Sequence, residues 1–200
     1  MIAFSLKNHL GEEKSYEAPA NEFLDVCMEF GRSNISGIKL LTQTVTPMEI
    51  QLIVPAIPPS LDLLDFSSTN LSSLHVRTLA KRLEHTRIKS LDLSGNRIGD
   101  ESMWMLSDFF GKNETIRVIR LSNCGITYNG FWVMMSLLQS RPIDFLDVSN
   151  NDVGIDGGDL ILSMLGNRFN IKSVDITNCG IPEWVIARIT VRAPKVVWVY

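Results

Sequence analysis

An eight-residue pattern recurs along this 200-residue chain at steps of 27, 28, 27 and 28 residues, and no other feature of the sequence restricts the fold as strongly. Each copy opens with two large apolar residues separated by one residue, and the copies begin at Leu64, Leu91, Ile119, Leu146 and Val174. This alternation has the period of a β-strand with one buried face. A unit of this length cannot bury its apolar face alone, so the sequence predicts a stack of repeated units.

The second half of each unit predicts a helix. Apolar residues recur fifteen residues after the pattern begins and again four residues later, which is a helical spacing: Leu79 and Leu83, Leu106 and Phe110, Met134 and Leu138, Ile161 and Leu165. Strands are predicted near residues 62–66, 89–93, 117–121, 144–148 and 172–176. A small residue at the start of the helix (Ser102, Gly130 or Gly157) would let the helix lie close to the strands. His75 departs from this preference and is expected to distort its unit.

The position after each strand, called the ladder position here, holds Thr69, Asn96, Cys124, Asn151 and Cys179. A buried Asn amide can bond the backbone groups that the turn leaves unpaired, and Cys offers a small side chain with a weak donor. Asn and Cys alternate at the ladder position, and the unit length alternates between 27 and 28 residues. This pattern resembles the ribonuclease-inhibitor-like class of leucine-rich repeats. That resemblance implies an α/β solenoid, a curved ribbon with parallel strands on the concave face and helices on the convex face. It also implies a role in protein binding.

The regions outside the regular repeats predict caps over the two open ends of the solenoid. Residues 35–181 comprise one degenerate repeat, then five regular ones of which the last is truncated. The helix of the degenerate repeat is expected to begin at Thr46 and Glu49, which form a capping box. Residues 1–34 are predicted to form an N-terminal cap with a strand at Ile2–Leu6 and a helix introduced by Asn21. Residues 182–200 are predicted to form a C-terminal cap with a final strand.

Composition narrows the classes of function. A net charge of −3 and a pI near 5.6 argue against nucleic-acid binding, and no apolar stretch is long enough to span a membrane. The N-terminus lacks the pattern of a secretory signal. Cys124 and Cys179 lie two repeats apart, about 10 Å across the sheet, and cannot pair. With Cys27 as the third thiol, this favours a reducing compartment and a cytoplasmic location.

No known catalytic motif occurs in the sequence. The glycine-rich run from Val153 to Asp159 falls where each repeat turns from strand to helix, so a structural role is the favoured interpretation. His9, His75 and His85 have no partner at the spacing of metal ligands. We therefore expect no enzyme activity, no metal and no cofactor.

Strand residues that point away from the core are expected to form rows on the concave face, because equivalent residues of neighbouring strands lie side by side. A charged row and an apolar row together predict a surface for a protein partner: Asp65, Asp92, Arg120, Asp147 and Asp175 beside Leu63, Val118 and Phe145. In the alternative interpretation, the Asp residues belong to the repeat pattern and Arg120 neutralises its neighbours. Such exposed pairs contribute only about 0–1 kcal/mol.

The convex face offers a second candidate surface. The segment Phe131–Leu138 is apolar almost all round, which predicts burial on more than one side. Trp104 and Trp132 occupy the same repeat position, and Met135 and Leu162 are predicted near the same outer face. These residues form either an apolar contact surface for assembly or a pair of indoles that bury each other.

The sequence thus favours a non-catalytic protein-binding module or a scaffold subunit of a larger intracellular assembly. Three alternatives remain open. One is a regulator of an enzyme such as a small GTPase or a nuclease, and another is an actin-associated cap resembling the repeat domain of tropomodulin. The third is an adaptor in an RNA particle, which the low pI disfavours.

Overall fold

A computed structural model describes residues 1–165 and 169–200 and contains one nine-stranded sheet in the order β2-β1-β3-β4-β5-β6-β7-β8-β9. The strands are Ile2–Asn8 (β1), Glu13–Ala18 (β2), Ile35–Leu40 (β3), Leu63–Asp65 (β4), Ser90–Asp92 (β5), Val118–Arg120 (β6), Phe145–Asp147 (β7), Ser173–Asp175 (β8) and Val197–Val199 (β9). The helices are Phe23–Glu29 (α1), Pro47–Ile53 (α2), Ser73–Leu83 (α3), Gly99–Met105 (α4), Ser107–Lys112 (α5), Tyr128–Leu138 (α6), Gly154–Met164 (α7) and Glu183–Arg192 (α8).

The strands from β3 to β9 are parallel, and each pairs with the strand one repeat away. Leu64, Leu91, Ile119, Leu146 and Val174 form one continuous line through the sheet. The registers are those predicted from the repeat, but each strand of the regular repeats is three residues long where five were expected. After each strand the chain turns at the residue before the ladder position, which has a positive φ: Ser68, Gly95, Asn123, Asn150 and Asn178.

The core lies between the sheet and the helices. Both apolar residues of each strand pattern are buried, as are the helical residues Leu79, Leu106, Met134 and Ile161. This arrangement confirms the predicted α/β solenoid with an open sheet. Helix α6 lies between the preceding helices α4 and α5 and the following helix α7, so the predicted burial on more than one side is also confirmed.

The N-terminal region differs from the expectation of parallel strands alone. Strand β1 runs antiparallel to β3, and β2, which the sequence analysis missed, pairs antiparallel with β1 at the edge of the sheet. Only Tyr16 and Ala18 of β2 are turned toward the core, so its apolar pattern is weak. Helix α1 begins after a short 3₁₀ turn without a side-chain cap, so the predicted cap at Asn21 was wrong.

His75 does not distort its repeat. Helix α3 has 11 residues, the same length as α6 and α7. His75 Nδ1 accepts a hydrogen bond of 2.9 Å from the backbone N–H of Ser72, and the Ser72 hydroxyl lies 2.9 Å from the same nitrogen. His75 thus takes the place of the Glu or Gln of a capping box. The helix tolerates it because the ring serves the helix start.

The helix of the second regular repeat is broken at Leu106 into α4 and α5, which the sequence did not predict. The Ser102 hydroxyl donates to the Ile98 carbonyl at 2.6 Å, a side-chain bond that often bends a helix. The break allows Phe109 and Phe110, which are adjacent in sequence, to be buried together at 5.4 Å between ring centroids.

Gly130 is required at the start of α6, but for a different reason from the predicted one. A Cβ at this position would lie 2.5 Å from Asp100 Oδ1 and 3.0 Å from Asp100 Cα. The small residue therefore allows α6 to approach the first turn of α4. The close neighbour is the preceding helix and not the strand layer.

Candidate functional site

The ladder asparagines connect the turns of adjacent repeats. Asn96 Oδ1 accepts hydrogen bonds from the backbone N–H groups of Thr69 and Leu71 at 3.1 and 2.8 Å. Its Nδ2 donates to the carbonyls of Phe66 and Leu93 at 2.7 and 2.8 Å. Asn151 makes the equivalent four bonds one pair of repeats later. Both side chains are thus fully used in holding the scaffold.

The ladder cysteines are buried thiols. Cys124 Sγ donates to the Leu93 carbonyl at 3.3 Å, and Cys179 Sγ donates to the Val148 carbonyl at 3.1 Å. Burial raises the pKa of Cys124 to about 12 and the pKa of Cys179 to about 11. Both are unpaired, as is Cys27. These thiols are structural groups with little thiolate at neutral pH.

The concave face carries the two predicted rows in the predicted register. Asp92 pairs with Arg120 and Arg120 with Asp147 across the charged row, while Val118 pairs with Phe145 in the apolar row. Leu63 is 37% exposed, and Val118 and Phe145 are partly exposed. The sheet therefore presents apolar side chains to solvent within a field of charged ones.

The four Asp residues of the charged row also hold the turns that follow their strands. Each Oδ1 accepts a hydrogen bond from the backbone N–H two residues later, at distances from 2.9 to 3.0 Å: Asp65 from Ser67, Asp92 from Ser94, Asp147 from Ser149 and Asp175 from Thr177. The interpretation of these residues as part of the repeat pattern therefore has direct support. One oxygen of each carboxylate is committed to the fold.

Arg120 does not neutralise its neighbours through an ion pair within the described residues. Its guanidinium lies over the ring of Phe145, with Cζ 5.4 Å from the ring centroid. This cation–π contact joins the charged row to the apolar row. The pair forms a flat, partly exposed unit near the centre of the sheet.

The N-terminal end of the concave face has a different charge balance. Lys39 Nζ lies 3.0 Å from Asp65 Oδ2, and this contact raises the pKa of Lys39. Burial favours a higher pKa for Asp65, but hydrogen bonds from Ser67 and the contact with Lys39 outweigh it, so the pKa is lowered. Beside this pair, the missing side chain of Gly37 leaves a shallow pocket against Leu63.

On the convex face, only part of the predicted apolar surface is exposed. Met135 and Leu162 are buried, with 1% and 5% exposure, so their placement on the outer face was wrong. Helices of neighbouring repeats cover the flanks of α4, α6 and α7, which leaves an outer row of each helix in contact with solvent. Trp104 and Trp132 occupy that row with 59% and 45% exposure. The two indoles therefore do not bury each other.

The two indoles lie on a groove that the sequence analysis did not identify. Asp100 and Glu101 of α4, with Tyr128 and Asn129 of α6, complete its lining. Glu101 precedes Trp104 by three residues and Tyr128 precedes Trp132 by four, so each pair shares one face of its helix. This spacing is the signal from which the groove could have been found.

A family model described as "Leucine Rich repeat" matches residues 85–107, which contain the ladder residue Asn96 and strand β5. The matched segment repeats in register through the parallel sheet. The chain is a leucine-rich repeat protein.

Two curated relatives show which class of leucine-rich repeat this protein contains. It is 31% identical over 114 residues to the ribonuclease inhibitor of Sus scrofa. This match covers 56% of this chain and 23% of the inhibitor. It is 34% identical over 103 residues to the NACHT, LRR and PYD domains-containing protein 5 of Homo sapiens, covering 46% of this chain and 9% of that protein. The repeats are of the ribonuclease-inhibitor-like class. The chain spans less than a quarter of the length of either relative.

Among solved structures, this leucine-rich repeat protein is similar to the Leiomodin-1 actin-binding site 2, with a TM-score of 0.56 and 14% sequence identity. The match covers 76% of this chain and 91% of that one. At this identity the likeness concerns the fold. None of the described helices has the length and hydropathy needed to cross a membrane. Within residues 1–165 and 169–200, no group of three His, Cys, Asp or Glu side chains converges as a metal site would require.

Proposed function

We propose that this leucine-rich repeat protein is a non-catalytic module that binds a protein partner on its concave face. The observation that carries the proposal is the partly exposed Phe145 ring with the Arg120 guanidinium stacked on it. Aromatic and Arg side chains are the residues most enriched at the energetic centre of protein interfaces. Phe145 and Arg120 lie on adjacent strands in the middle of the sheet, where a partner would cover them most completely.

The apolar row supplies the contact area of this proposed interface. Leu63, Val118 and Phe145 project from strands that the ladder residues hold rigidly. A preorganised surface loses little conformational freedom when a partner binds. Val118 and Phe145 are adjacent across the sheet, so one apolar side chain of the partner can contact both.

The charged row supplies selectivity. Asp92, Asp147 and Asp175 each use Oδ1 in a turn, and their Oδ2 atoms remain available for a basic group on the partner. Exposed charges of this kind act mainly on the association rate and its salt dependence. The proposed partner therefore presents basic residues around an apolar or aromatic centre.

Site-specific photocrosslinking tests the proposed face. A photoreactive phenylalanine analogue placed at Val118 should capture a partner in the source cells, whereas the same group at Glu29 on helix α1 should not capture it. With the purified partner, Phe145→Ala should weaken binding by about 2 kcal/mol through faster dissociation. Asp147→Asn should mainly slow association and reduce its salt dependence.

A Glu29→Ala variant is the control in the same binding assay, because Glu29 is exposed on helix α1 and lies outside the concave rows. A captured partner that binds equally well after combined substitution of Phe145 and Asp147 would exclude the concave face as its site.

Actin binding is a second candidate function, favoured by the likeness in fold to an actin-binding site of leiomodin-1. Cosedimentation with actin filaments and a pyrene-actin polymerisation assay test it directly. If actin is the partner, the protein will change the polymerisation rate and Phe145→Ala will reduce that change. A protein that leaves polymerisation unchanged and does not sediment with filaments excludes actin.

Regulation of an enzyme is a third candidate function, because the porcine relative is a ribonuclease inhibitor. This chain matches only 23% of that protein, so it presents a much smaller part of a binding surface. A ribonuclease activity assay with the purified chain tests the idea. Unchanged activity at an excess of this protein would remove this candidate.

We further propose that residues 1–34 and 182–200 act as caps for the repeats at 35–181. In support, Phe4 packs against Phe23 at 4.6 Å and Phe169 against Trp198 at 6.1 Å, so aromatic pairs cover both ends of the core. Three buried, unpaired thiols agree with a cytoplasmic location.

A further inference from the structure

The four tryptophans of the chain lie in three different environments. Trp198 is buried, and Trp184, although 54% exposed, has the guanidinium of Arg188 over its ring at 5.8 Å. Trp104 and Trp132 are exposed, and no cation of the described chain lies over either ring. The protein therefore supplies a cation to one exposed indole and leaves two others without one.

The groove between these two indoles is acidic. Its described lining consists of Trp104, Trp132 and Tyr128 together with Asp100, Glu101 and Asn129, and it encloses about 630 Å³. Aromatic faces carry negative electrostatic potential, so they attract cations, as the carboxylates do. No lining residue is basic. The groove is complementary to a cation.

The two carboxylates have different roles. Asp100 accepts hydrogen bonds from the backbone N–H and the hydroxyl of Thr127 at 2.7 and 2.6 Å, which fixes α4 against the start of α6. Glu101 is exposed and forms no ion pair with the described residues. Glu101 is therefore the carboxylate that is available to a ligand. Asp100 and Gly130 hold helices α4 and α6 together beneath it.

A purely apolar occupant does not fit this groove. Covering Glu101 with apolar groups would remove water from its carboxylate without providing a partner, which is costly. The outer row also has Arg77 one repeat before the indoles and Asp159 one repeat after them, both exposed. An apolar patch of two indoles bounded by charges is better matched by a segment that carries its own positive charge.

We propose that this groove binds an arginine side chain of a basic segment in a partner protein. The planar guanidinium stacks on an indole face and can form two hydrogen bonds with one carboxylate, whereas an ammonium group cannot combine these contacts. The contact of Arg188 with Trp184 shows the same pairing within the chain. This site is separate from the concave face, and it stands whether or not the concave proposal holds.

The indole N–H resonances test the proposal with a short basic peptide in place of the partner. The chain has four tryptophans, so a ¹⁵N-labelled sample gives four such signals, which single Trp→Phe variants assign. The probe is a Gly-Ser peptide with two arginines, titrated at low salt. The signals of Trp104 and Trp132 should shift in a saturable manner and those of Trp184 and Trp198 should not. Added salt should reduce the affinity.

Three variants define the role of charge. Glu101→Gln should weaken peptide binding about two- to fivefold, as loss of an exposed charge contact does. Glu183→Gln is the matched control, since Glu183 lies beside the exposed Trp184, whose ring Arg188 already covers, and the affinity should not change. Arg77→Gln removes a like charge near the groove and should leave the affinity equal or higher.

Several results would overturn the proposal. A peptide with leucine in place of arginine that shifts the same two signals with equal affinity would make the groove an apolar contact surface. A lysine peptide of equal affinity would refute the preference for arginine. Absence of shifts at Trp104 and Trp132, or equal shifts at Trp184, would exclude this groove as the site. The concave variant Phe145→Ala should bind the peptide normally, which separates this test from that of the proposed function.

Discussion

Two successive repeats, residues 91–118 and 119–145, form the same strand and helix layers with different chemistry. The first contains 28 residues and the ladder residue Asn96, and the second contains 27 residues and the ladder residue Cys124. Asn96 bonds four backbone groups in two turns, whereas the Cys124 thiol donates to the Leu93 carbonyl of the preceding repeat. The turn around Cys124 receives its remaining bonds from Asn151 of the next repeat.

The two repeats also begin their helices differently. Helix α6 of the Cys124 repeat starts after Thr127, whose hydroxyl accepts a hydrogen bond from Asn129 N–H at 3.4 Å. Helix α4 of the Asn96 repeat has no side-chain cap and starts at Gly99, which has a φ of 65°. The Gly99 N–H donates to the Cys124 carbonyl at 3.0 Å. The backbone contact recurs two repeats later, where Gly154 has a φ of 67° and its N–H donates to the Cys179 carbonyl at 2.9 Å.

This difference teaches that the turns of Asn and Cys repeats depend on each other for their hydrogen bonds. The Asn repeat supplies the amide that joins two turns, and the Cys repeat supplies a carbonyl to the Gly of the Asn repeat. Loss of one ladder residue should therefore affect the neighbouring repeat as well as its own. The following experiments test this comparison, beginning with the largest expected effect.

The rate of thiol labelling measures how well the fold shields the ladder cysteines from solvent. Cys124 and Cys179 should react with a thiol reagent at least about 10³-fold more slowly in the native protein than in denaturant, because reaction requires opening of the fold. Asn96→Ala should speed native labelling of Cys124 more than that of Cys179. Rapid native labelling of both would contradict their burial.

Asn96→Ala should lower the free energy of unfolding by about 1–3 kcal/mol, because backbone groups of two turns lose buried partners. Cys124→Ala should cost less, about 1 kcal/mol, since one weak hydrogen bond and a small volume are lost. Urea unfolding of both variants measures the difference. Equal losses of stability would remove the distinction between the two kinds of repeat.

The two kinds of helix start can be compared at Gly99 and Thr127. Gly99→Ala should lower the free energy of unfolding by about 1–2 kcal/mol, because Ala disfavours the left-handed backbone at this position. No clash adds to this loss, since no atom lies within 4 Å of the added Cβ. Thr127→Ala should lower the free energy of unfolding by about 1 kcal/mol through loss of the cap and of the hydroxyl hydrogen bond to Asp100. Gly111→Ala is the control, since Gly111 lies within helix α5 without a positive φ. A Gly99 variant as stable as the wild type would contradict the account of this turn.

The smallest effect concerns pH. Burial lowers the pKa of His75, so the unfolded chain takes up its proton near pH 6.5 while the folded chain does so only at lower pH. The contribution of neutral His75 to the free energy of unfolding is therefore present above about pH 6.5. It is lost as the pH falls toward the pKa of the folded state. His75→Gln keeps a capping-box residue and should flatten this dependence. Unfolding curves between pH 5 and 7.5 measure it.

Several features followed from the sequence because the repeat constrains them locally. The period placed the strand registers, since each apolar pair must face the same core as its neighbours. The Thr46 capping box also appeared as expected, because this signal lies within a few residues of the helix that it begins. The alternation of Asn and Cys identified the repeat class.

Other features depended on neighbours that the sequence does not show side by side. Met135 and Leu162 were placed outside because a single helix does not reveal how much of its surface adjacent helices cover. Strand β2 was missed because an edge strand with one partner needs little apolar pattern. Similarly, Gly130 proved to contact Asp100 of another repeat, about one period away in sequence.

By itself, the sequence determined the solenoid, its register and the residues of its ladder, because a periodic apolar pattern has one way to share a continuous core. Only the tertiary structure decided which polar and aromatic side chains meet. It placed Arg120 over Phe145 and left the rings of Trp104 and Trp132 beside Glu101 in an acidic groove. Arg120 meets Phe145, and Trp104 meets Trp132 across the groove, between strands or helices of different repeats. Distance and orientation there depend on how the repeats pack and not on the pattern within any one of them.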